Sequence, residues 1–333
     1  MHHERRVLIT GAAGFIGAWV SRRLTESGAR VIATDYKTGR ENGSSIVQCD
    51  LDVEGDTAKL ATLGRFDTIV HLAWPLPRLE DTSLLEPEVL APSNQVVRLL
   101  ELARTQGAAF VFASTAMVYG RNRTPFQESM GLAPSTPYAY AKAVSELAVL
   151  YYHSRYGVPY TIVRPSVIYG PGQRGRMFVP SLVAALVRGD EFPMTNGEQR
   201  RDFLHIDDLA DLFVKAVEKR ECAAIVNAGS GVGVPLCEVA TFVQDMTFSR
   251  GRALFGAVAH REVELWDYSL DIERARRIFD WSPKTSLRNG LAETIAAELT
   301  RSAFTTNQGN LEGSNDILLD AHQAKGGLPP IAG

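Results

Sequence analysis

Tyr138 and Lys142 stand four residues apart in Tyr138-Ala-Tyr-Ala-Lys142, a spacing that lets a phenol meet an ammonium. On a helix, side chains at i and i+4 lie one above the other on a single face. A lysine charge there favours phenolate, and the partial positive charge of a helix N-terminus adds to the effect. Such a phenol can pass a proton to and from a substrate hydroxyl. The flanking residues put the pair at a helix start, because Ser135 or Thr136 can cap and Pro137 suits the first turn. Tyr140 has only Val144 four residues on, so it is expected to pack rather than react.

A second constellation, Thr10-Gly-Ala-Ala-Gly-Phe-Ile-Gly17, supplies a context for that pair. Arg6 to Thr10 reads as a buried strand and Phe15 to Ser27 as an amphipathic helix ended by Gly28. Ala29 to Thr34 is the next strand, with Asp35 at its tip. This βαβ unit is a dinucleotide fold. Gly11 permits the tight turn, Gly14 lets backbone approach a pyrophosphate, and Gly17 lets the helix pack closely. Phe15 and Ile16 open the helix whose N-terminus faces the phosphates. Asp35 would accept hydrogen bonds from the adenosine ribose and repel a 2′-phosphate, which favours NAD over NADP.

Further strands, at Ser45 to Gln48, Thr68 to Leu72, Phe110 to Ala113 and Tyr160 to Val163, alternate with helices. That rhythm implies a parallel sheet covered on both faces. Asp50 and Leu51, and Leu72 and Ala73 before Trp74, follow two of these strands at the carboxyl edge, where ligands bind. His71 is expected to be a packed strand residue.

Composition narrows the remaining classes. A chain of 333 residues with formal charge -3 gives no electrostatic reason to expect nucleic acid or a membrane surface. Cys49, Cys222 and Cys237 are scattered and lack metal-ligand spacing, which fits reduced thiols in the cytoplasm. No early apolar run resembles a signal peptide, and none is long enough to span a membrane. His2 and His3 are expected to be a tag remnant or without a role.

Five ordered motifs then resemble the extended short-chain dehydrogenase/reductase family, in its NAD-dependent sugar epimerase/dehydratase group. They are TGAAGFIG at 10–17, VFASTAMVYG at 111–120, PYAYAKAVSE at 137–146, RPSVIYGPG at 164–172 and QRRDFLHIDDLA at 199–210. The resemblance implies a Rossmann-type doubly wound parallel sheet with a smaller C-terminal substrate-binding lobe. The expected division is an NAD-binding domain over 1–170 with return segments near 200–230, a lobe over 171–300, and a mobile tail over 301–333. A short helix near Ile317 to Gln323 is conceivable within that tail. The resemblance also implies a homodimer that packs the helices around Val96 to Arg104 and Tyr138 to Tyr152.

By position, the resemblance gives Tyr138 the role of catalytic acid/base and Lys142 that of its partner and ribose ligand. Thr115 would hydrogen-bond the reacting sugar oxygen, with Ser114 as the neighbouring alternative. Arg201 and Arg261 would reach the diphosphate of a nucleotide sugar, as planar forks matched to phosphate oxygens. The 4,6-dehydratases carry Asp-Glu after the Ser/Thr. Ala116 and Met117 occupy those places, so elimination is disfavoured, as is decarboxylation. Val167 and Met177 replace two asparagines that often hold the sugar nucleotide. Asp202, His205, Asp207 and Asp208 belong to a structural segment, so no metal is assigned. The expected activity is hydride transfer at C4 of a nucleotide sugar, by a 4-epimerase or 4-ketoreductase. The alternatives are a reductase of a non-sugar alcohol or ketone and a non-catalytic NAD sensor.

Overall fold

The computed structural model describes residues 4–37, 39–41, 44–74, 86–175, 177–260 and 264–303. The chain opens with β1 (Arg6–Thr10), α1 (Phe15–Glu26), β2 (Arg30–Asp35), β3 (Gly39–Glu41) and β4 (Ser44–Gln48). It continues through α2 (Glu54–Thr62), β5 (Thr68–His71), α3 (Glu86–Gln106), β6 (Ala109–Ala113) and a 3-10 turn at Ala116–Tyr119. Then come α4 (Pro137–Tyr156), β7 (Tyr160–Pro165), β8 (Val167–Tyr169), α5 (Phe178–Arg188), β9 (Glu191–Pro193) and β10 (Arg200–His205). The last elements are α6 (Ile206–Glu218), β11 (Ala223–Ala228), β12 (Gly233–Pro235), α7 (Leu236–Thr247), β13 (Arg252–Leu254), α8 (Glu273–Phe279) and α9 over 287–303.

The main sheet runs β11-β7-β6-β5-β1-β2-β4-β3 and is parallel throughout except at its edge, where β3 pairs antiparallel with β4. Apolar runs such as Val7-Leu8-Ile9 form central strands because both faces are covered; all three residues are 0% exposed. On one face α1, α6, α8 and Trp281 close a core around Val20, Leu24 and Phe213. On the other, α2, α3 and α4 pack over Phe110 and Phe112. The return to the first domain therefore includes α8 and Trp281, beyond the expected 200–230. The chain leaves β1 in one direction toward β2 and in the other toward β5, so a crevice opens above the carboxyl ends of β1 and β5.

The lobe contains the small sheets β12-β10-β8 and β13-β9, and its core joins α5, α7 and α9 through Leu182, Val239 and Leu291. A fourth apolar cluster, Tyr119, Phe126, Tyr268, Leu270 and Ile272, straps lobe to sheet. Residues 301–303 continue α9 instead of starting a tail, because the helix runs on past Thr300. The rest of that segment, with Ile317 to Gln323, lies outside the described residues, as do His2 and His3. Among the described residues, no helix is long and apolar enough to cross a membrane.

The glycine turn leaves no room for a side chain. Gly11 has φ +75°, and a Cβ there would lie 2.5 Å from the Ala73 amide nitrogen. Gly11→Ala is therefore expected to cost at least about 2 kcal/mol in urea unfolding. Gly55→Ala, where a Cβ meets nothing within 4 Å, is the control and should be neutral or slightly stabilising. Equal midpoints for the two variants would refute this account of the turn.

Candidate active site

Three glycines shape the mouth of the crevice. Gly17 presses on the loop before it: a Cβ there would overlap the Gly11 carbonyl oxygen. That contact, rather than one with the sheet, is what demands glycine. Gly14 caps α1 with its backbone alone, and the first turn carries no acidic residue. The amides at Phe15 and Ile16 thus open an N-terminus suited to an anion. Asp35 is 7% exposed at the end of β2. Its carboxylate accepts from the Ala13 amide (3.1 Å) and the Lys37 amide (3.0 Å), which fixes it beside the turn. Leu72 and Ala73 follow β5 and lie against Gly11. The Leu72 amide donates to the Thr10 carbonyl at 3.1 Å. Asp50 and Leu51 follow β4; Asp50 accepts from the Asp52 amide, and the Leu51 carbonyl accepts from Arg98 at 2.8 Å. His71 is fully buried, with Nδ1 2.7 Å from the Thr10 hydroxyl.

Tyr138 sits in the first turn of α4. Thr136, not Ser135, is the cap: its hydroxyl accepts from the Ala139 amide at 3.2 Å, with Pro137 opening the helix. Thr115 ends the stretch after β6, and its side chain caps the 3-10 turn by accepting from the Met117 amide at 3.2 Å. The Thr115 hydroxyl also faces the Tyr138 phenol and favours its ionised form. Two hydroxyls from distant parts of the chain therefore meet at the carboxyl edge of the sheet.

Lys142 behaves differently from the sequence expectation. Its amine is buried and donates to the Ala113 carbonyl at 2.6 Å. It lies 3.7 Å from the centre of the Trp74 ring, against 5.9 Å for the Tyr138 ring. The expected pull toward phenolate is not what prevails. Burial pushes the Tyr138 phenol up to about 12, opposed by the facing Thr115 hydroxyl. Burial also holds the Lys142 amine well below its ordinary range, opposed by Glu146.

Ser114 is turned away from this meeting point, with its hydroxyl spent on the buried Glu146 carboxylate. Tyr140 is 41% exposed on the outer face of α4, so it is not the packing residue expected. Helical phase explains the difference: Tyr138 and Lys142 take the inner face, and a residue two places on must face out. In the lobe, Arg201 donates to the Leu265 carbonyl at 2.6 Å and pairs with Glu264. Arg261 lies outside the described residues. Val167 packs partly buried against the lobe core, and Met177 is 43% exposed at the start of α5. Asp202 spends its carboxylate on Ser230, Gly231 and Leu270 amides, and Asp208 on those of Lys284 and Thr285. Asp207 faces Arg23 and His205 faces Glu293, so these four residues serve separate structural contacts.

Sequence reading missed Tyr268. This buried residue stacks edge-on against Phe126 at 5.5 Å, and its phenol faces the Thr115 hydroxyl as well. Its position, one residue after Asp267 in a stretch without regular structure, carried no periodic signal.

The NAD dependent epimerase/dehydratase family matches residues 7–229. The chain belongs to that family. The UDP-glucose 4-epimerase of Mycolicibacterium smegmatis is 31% identical over 309 residues, covering 87% of this chain and 97% of the relative. The structure of UDP-glucose 4-epimerase from Thermotoga maritima with UDP-glucose superposes with TM-score 0.80 at 26% identity, over 90% of this chain and 99% of that one. The UDP-glucuronic acid 4-epimerase of Bacillus cereus, in complex with UDP-glucuronic acid and NAD, gives TM-score 0.78 at 25% identity, over 88% and 98%. The protein is thus an enzyme of an NAD-dependent family, and its own turn fits that cofactor: the space at Gly11 and Gly17 tolerates no Cβ, and the α1 N-terminus carries no competing acid.

The phenol state of this family member can be read directly. In cofactor-free protein, wild type and Tyr138→Phe should titrate the same number of tyrosinates between about pH 7 and about pH 10, by ultraviolet difference absorbance. A raised phenol ionises only above that window. One extra tyrosinate in the wild type would mean that the lysine field outweighs burial.

Proposed function

We propose that this enzyme is a nucleotide-sugar 4-epimerase in which Tyr138 is the acid/base and Thr115 the clamp on the reacting oxygen. The observation that carries the reading is the approach of these two hydroxyls to one another above the carboxyl edge of the sheet, beside the glycine turn. Once the Tyr138 phenol has given its own proton to solvent, a substrate C4 hydroxyl bound there would pass its proton to the phenolate as the carbon is oxidised, and Tyr138 would return it when the carbon is reduced on its other face. Thr115 holds the oxygen on which charge develops. NAD, when bound, supplies the hydride acceptor and a positive ring that favours ionised Tyr138. Gly11, Gly14, Phe15, Ile16 and Gly17 would hold its pyrophosphate, Asp35 its adenosine ribose, and Lys142 its nicotinamide ribose. Leu72 and Ala73 after β5, and Asp50 and Leu51 after β4, would complete its site.

Ala116 is fully buried and Met117 is apolar, so neither can supply the acid or base that elimination needs. This supports epimerisation over dehydration. Arg201 contacts the substrate diphosphate after exchanging Glu264 for phosphate, and Arg261 assists. The three free cysteines support a cytoplasmic location. A second copy packs on α3 and α4. In support, Tyr140, Leu147 and Tyr151 form one exposed stripe on α4, with Val97 exposed on α3.

Purified enzyme is expected to retain NAD through dialysis and to interconvert one pair of C4-epimeric UDP-, dTDP-, GDP- or CDP-sugars without added cofactor. Tyr138→Phe should lower kcat at least about a hundredfold while still binding NAD. Strict consumption of added NADH would point to a ketoreductase instead. No melting shift with any of the four sugar-nucleotide classes would point to a non-sugar substrate, and full activity of the Tyr138→Phe enzyme would end the catalytic reading. Leu147→Glu with Tyr151→Glu should convert a species of two chain masses to one in light scattering; an unchanged mass would remove this face as the dimer contact.

A further inference from the structure

Glu146 is eight residues after Tyr138 and four after Lys142, so all three share the inner face of α4. It is 0% exposed. Arg164 on β7 grips its carboxylate as a fork, Nε on Oε1 at 3.0 Å and Nη2 on Oε2 at 2.6 Å, and the Ser114 hydroxyl donates to Oε1. Taking two such ions out of water is costly, and apolar side chains of similar volume would fill the space with less penalty. The charge is therefore worth explaining by what it does to its neighbours.

Lys142 and Glu146 take hold of successive residues. The Lys142 amine binds the Ala113 carbonyl, and Glu146 binds the Ser114 side chain. Thr115 follows immediately, so its place opposite Tyr138 is set by that double grip. The ammonium itself needs a counter-charge, since it is 2% exposed. Trp74 and Phe112 face it with rings, at 3.7 and 4.8 Å. His71 on β5 faces it too, but burial pushes that imidazole down to about 3 and leaves it neutral. The Tyr138 phenol is held neutral as well, and Arg164 on β7 carries a like charge. Glu146 is the acid that opposes the loss of the lysine proton.

We propose that Glu146 is a positioning residue for the reaction: clamped by Arg164, it keeps Lys142 an ammonium and holds the end of β6 so that Thr115 meets Tyr138. This role rests on Lys142 working at the site, yet its test needs no turnover. Trp74 lies against the amine, so tryptophan emission of the full-length enzyme, followed from acid to alkaline pH, reports the Lys142 proton. Lys142→Met supplies the blank. In the charge-balanced Glu146→Gln/Arg164→Met variant the midpoint should fall by at least about one pH unit, because the folded state has lost the group that raised it. Glu146→Asp keeps the charge and should stay within about half a unit of wild type. An unchanged midpoint in the folded double variant overturns the proposal. A shift in Glu146→Asp as large as in the double variant also overturns it, since geometry rather than charge would then be responsible. Loss of activity in Tyr138→Phe tests the functional reading separately.

Discussion

The hydrogen bond from the Lys142 amine to the Ala113 carbonyl ties helix α4 to the end of strand β6, and the site is arranged around it. A hydrogen bond to a buried carbonyl is worth about 0.5–1.5 kcal/mol net, and leaving the carbonyl bare costs about 1–3 kcal/mol. The bond therefore fixes how far the helix sits from the sheet edge. Tyr138, one turn earlier on α4, and Thr115, two residues past Ala113, are brought to face one another as a result. The cofactor turn meets the same edge from the other side, where Gly11 lies against Ala73.

Burial has a second consequence for the chemistry. A helix N-terminus and a nearby lysine both favour phenolate, but each acts over a few ångströms and can be turned away, whereas desolvation acts on the whole group. Here the lysine is turned toward a carbonyl and an indole, and the phenol is left neutral, raised to about 12. The same enclosure holds His71 neutral against the Thr10 hydroxyl, so it adds no charge of its own.

The substrate lobe is joined to this machinery by more than a linker. The Phe126 amide donates to the Ser269 carbonyl at 2.8 Å, and the Asp202 amide to the Tyr268 carbonyl at 3.0 Å. These bonds hold the segment that carries Tyr268 against Thr115. Tyr119, whose ring lies 4.8 Å from the Arg164 guanidinium, donates its hydroxyl to Asn227 at 2.7 Å, and Asn227 in turn binds the Phe126 and Asp271 carbonyls. A path of polar and ring contacts thus runs from Glu146 on α4 through Arg164, the Tyr119 ring and Asn227 to the strap of the lobe. Arg164 Nε and Nη2 are satisfied by Glu146, and the Tyr119 hydroxyl by Asn227, as most buried polar groups are.

The features legible in the amino-acid sequence were those written in local spacing. The glycine turn, the cap and proline before Tyr138, the alternation of strands and helices, and the Tyr-Lys interval each express a backbone or helical period, which short segments impose on their own. Tertiary structure decided what those side chains do. Ser114 lost its hydroxyl to Glu146, 32 residues away, and Arg201 was taken by Glu264, 63 residues away. Tyr268 entered the site from a segment with no period, and Tyr140 faced outward once the inner face of α4 was committed. Partners so distant in sequence, and the desolvation that sets whether the Tyr138 phenol and the Lys142 amine keep their protons, exist only after the chain has folded.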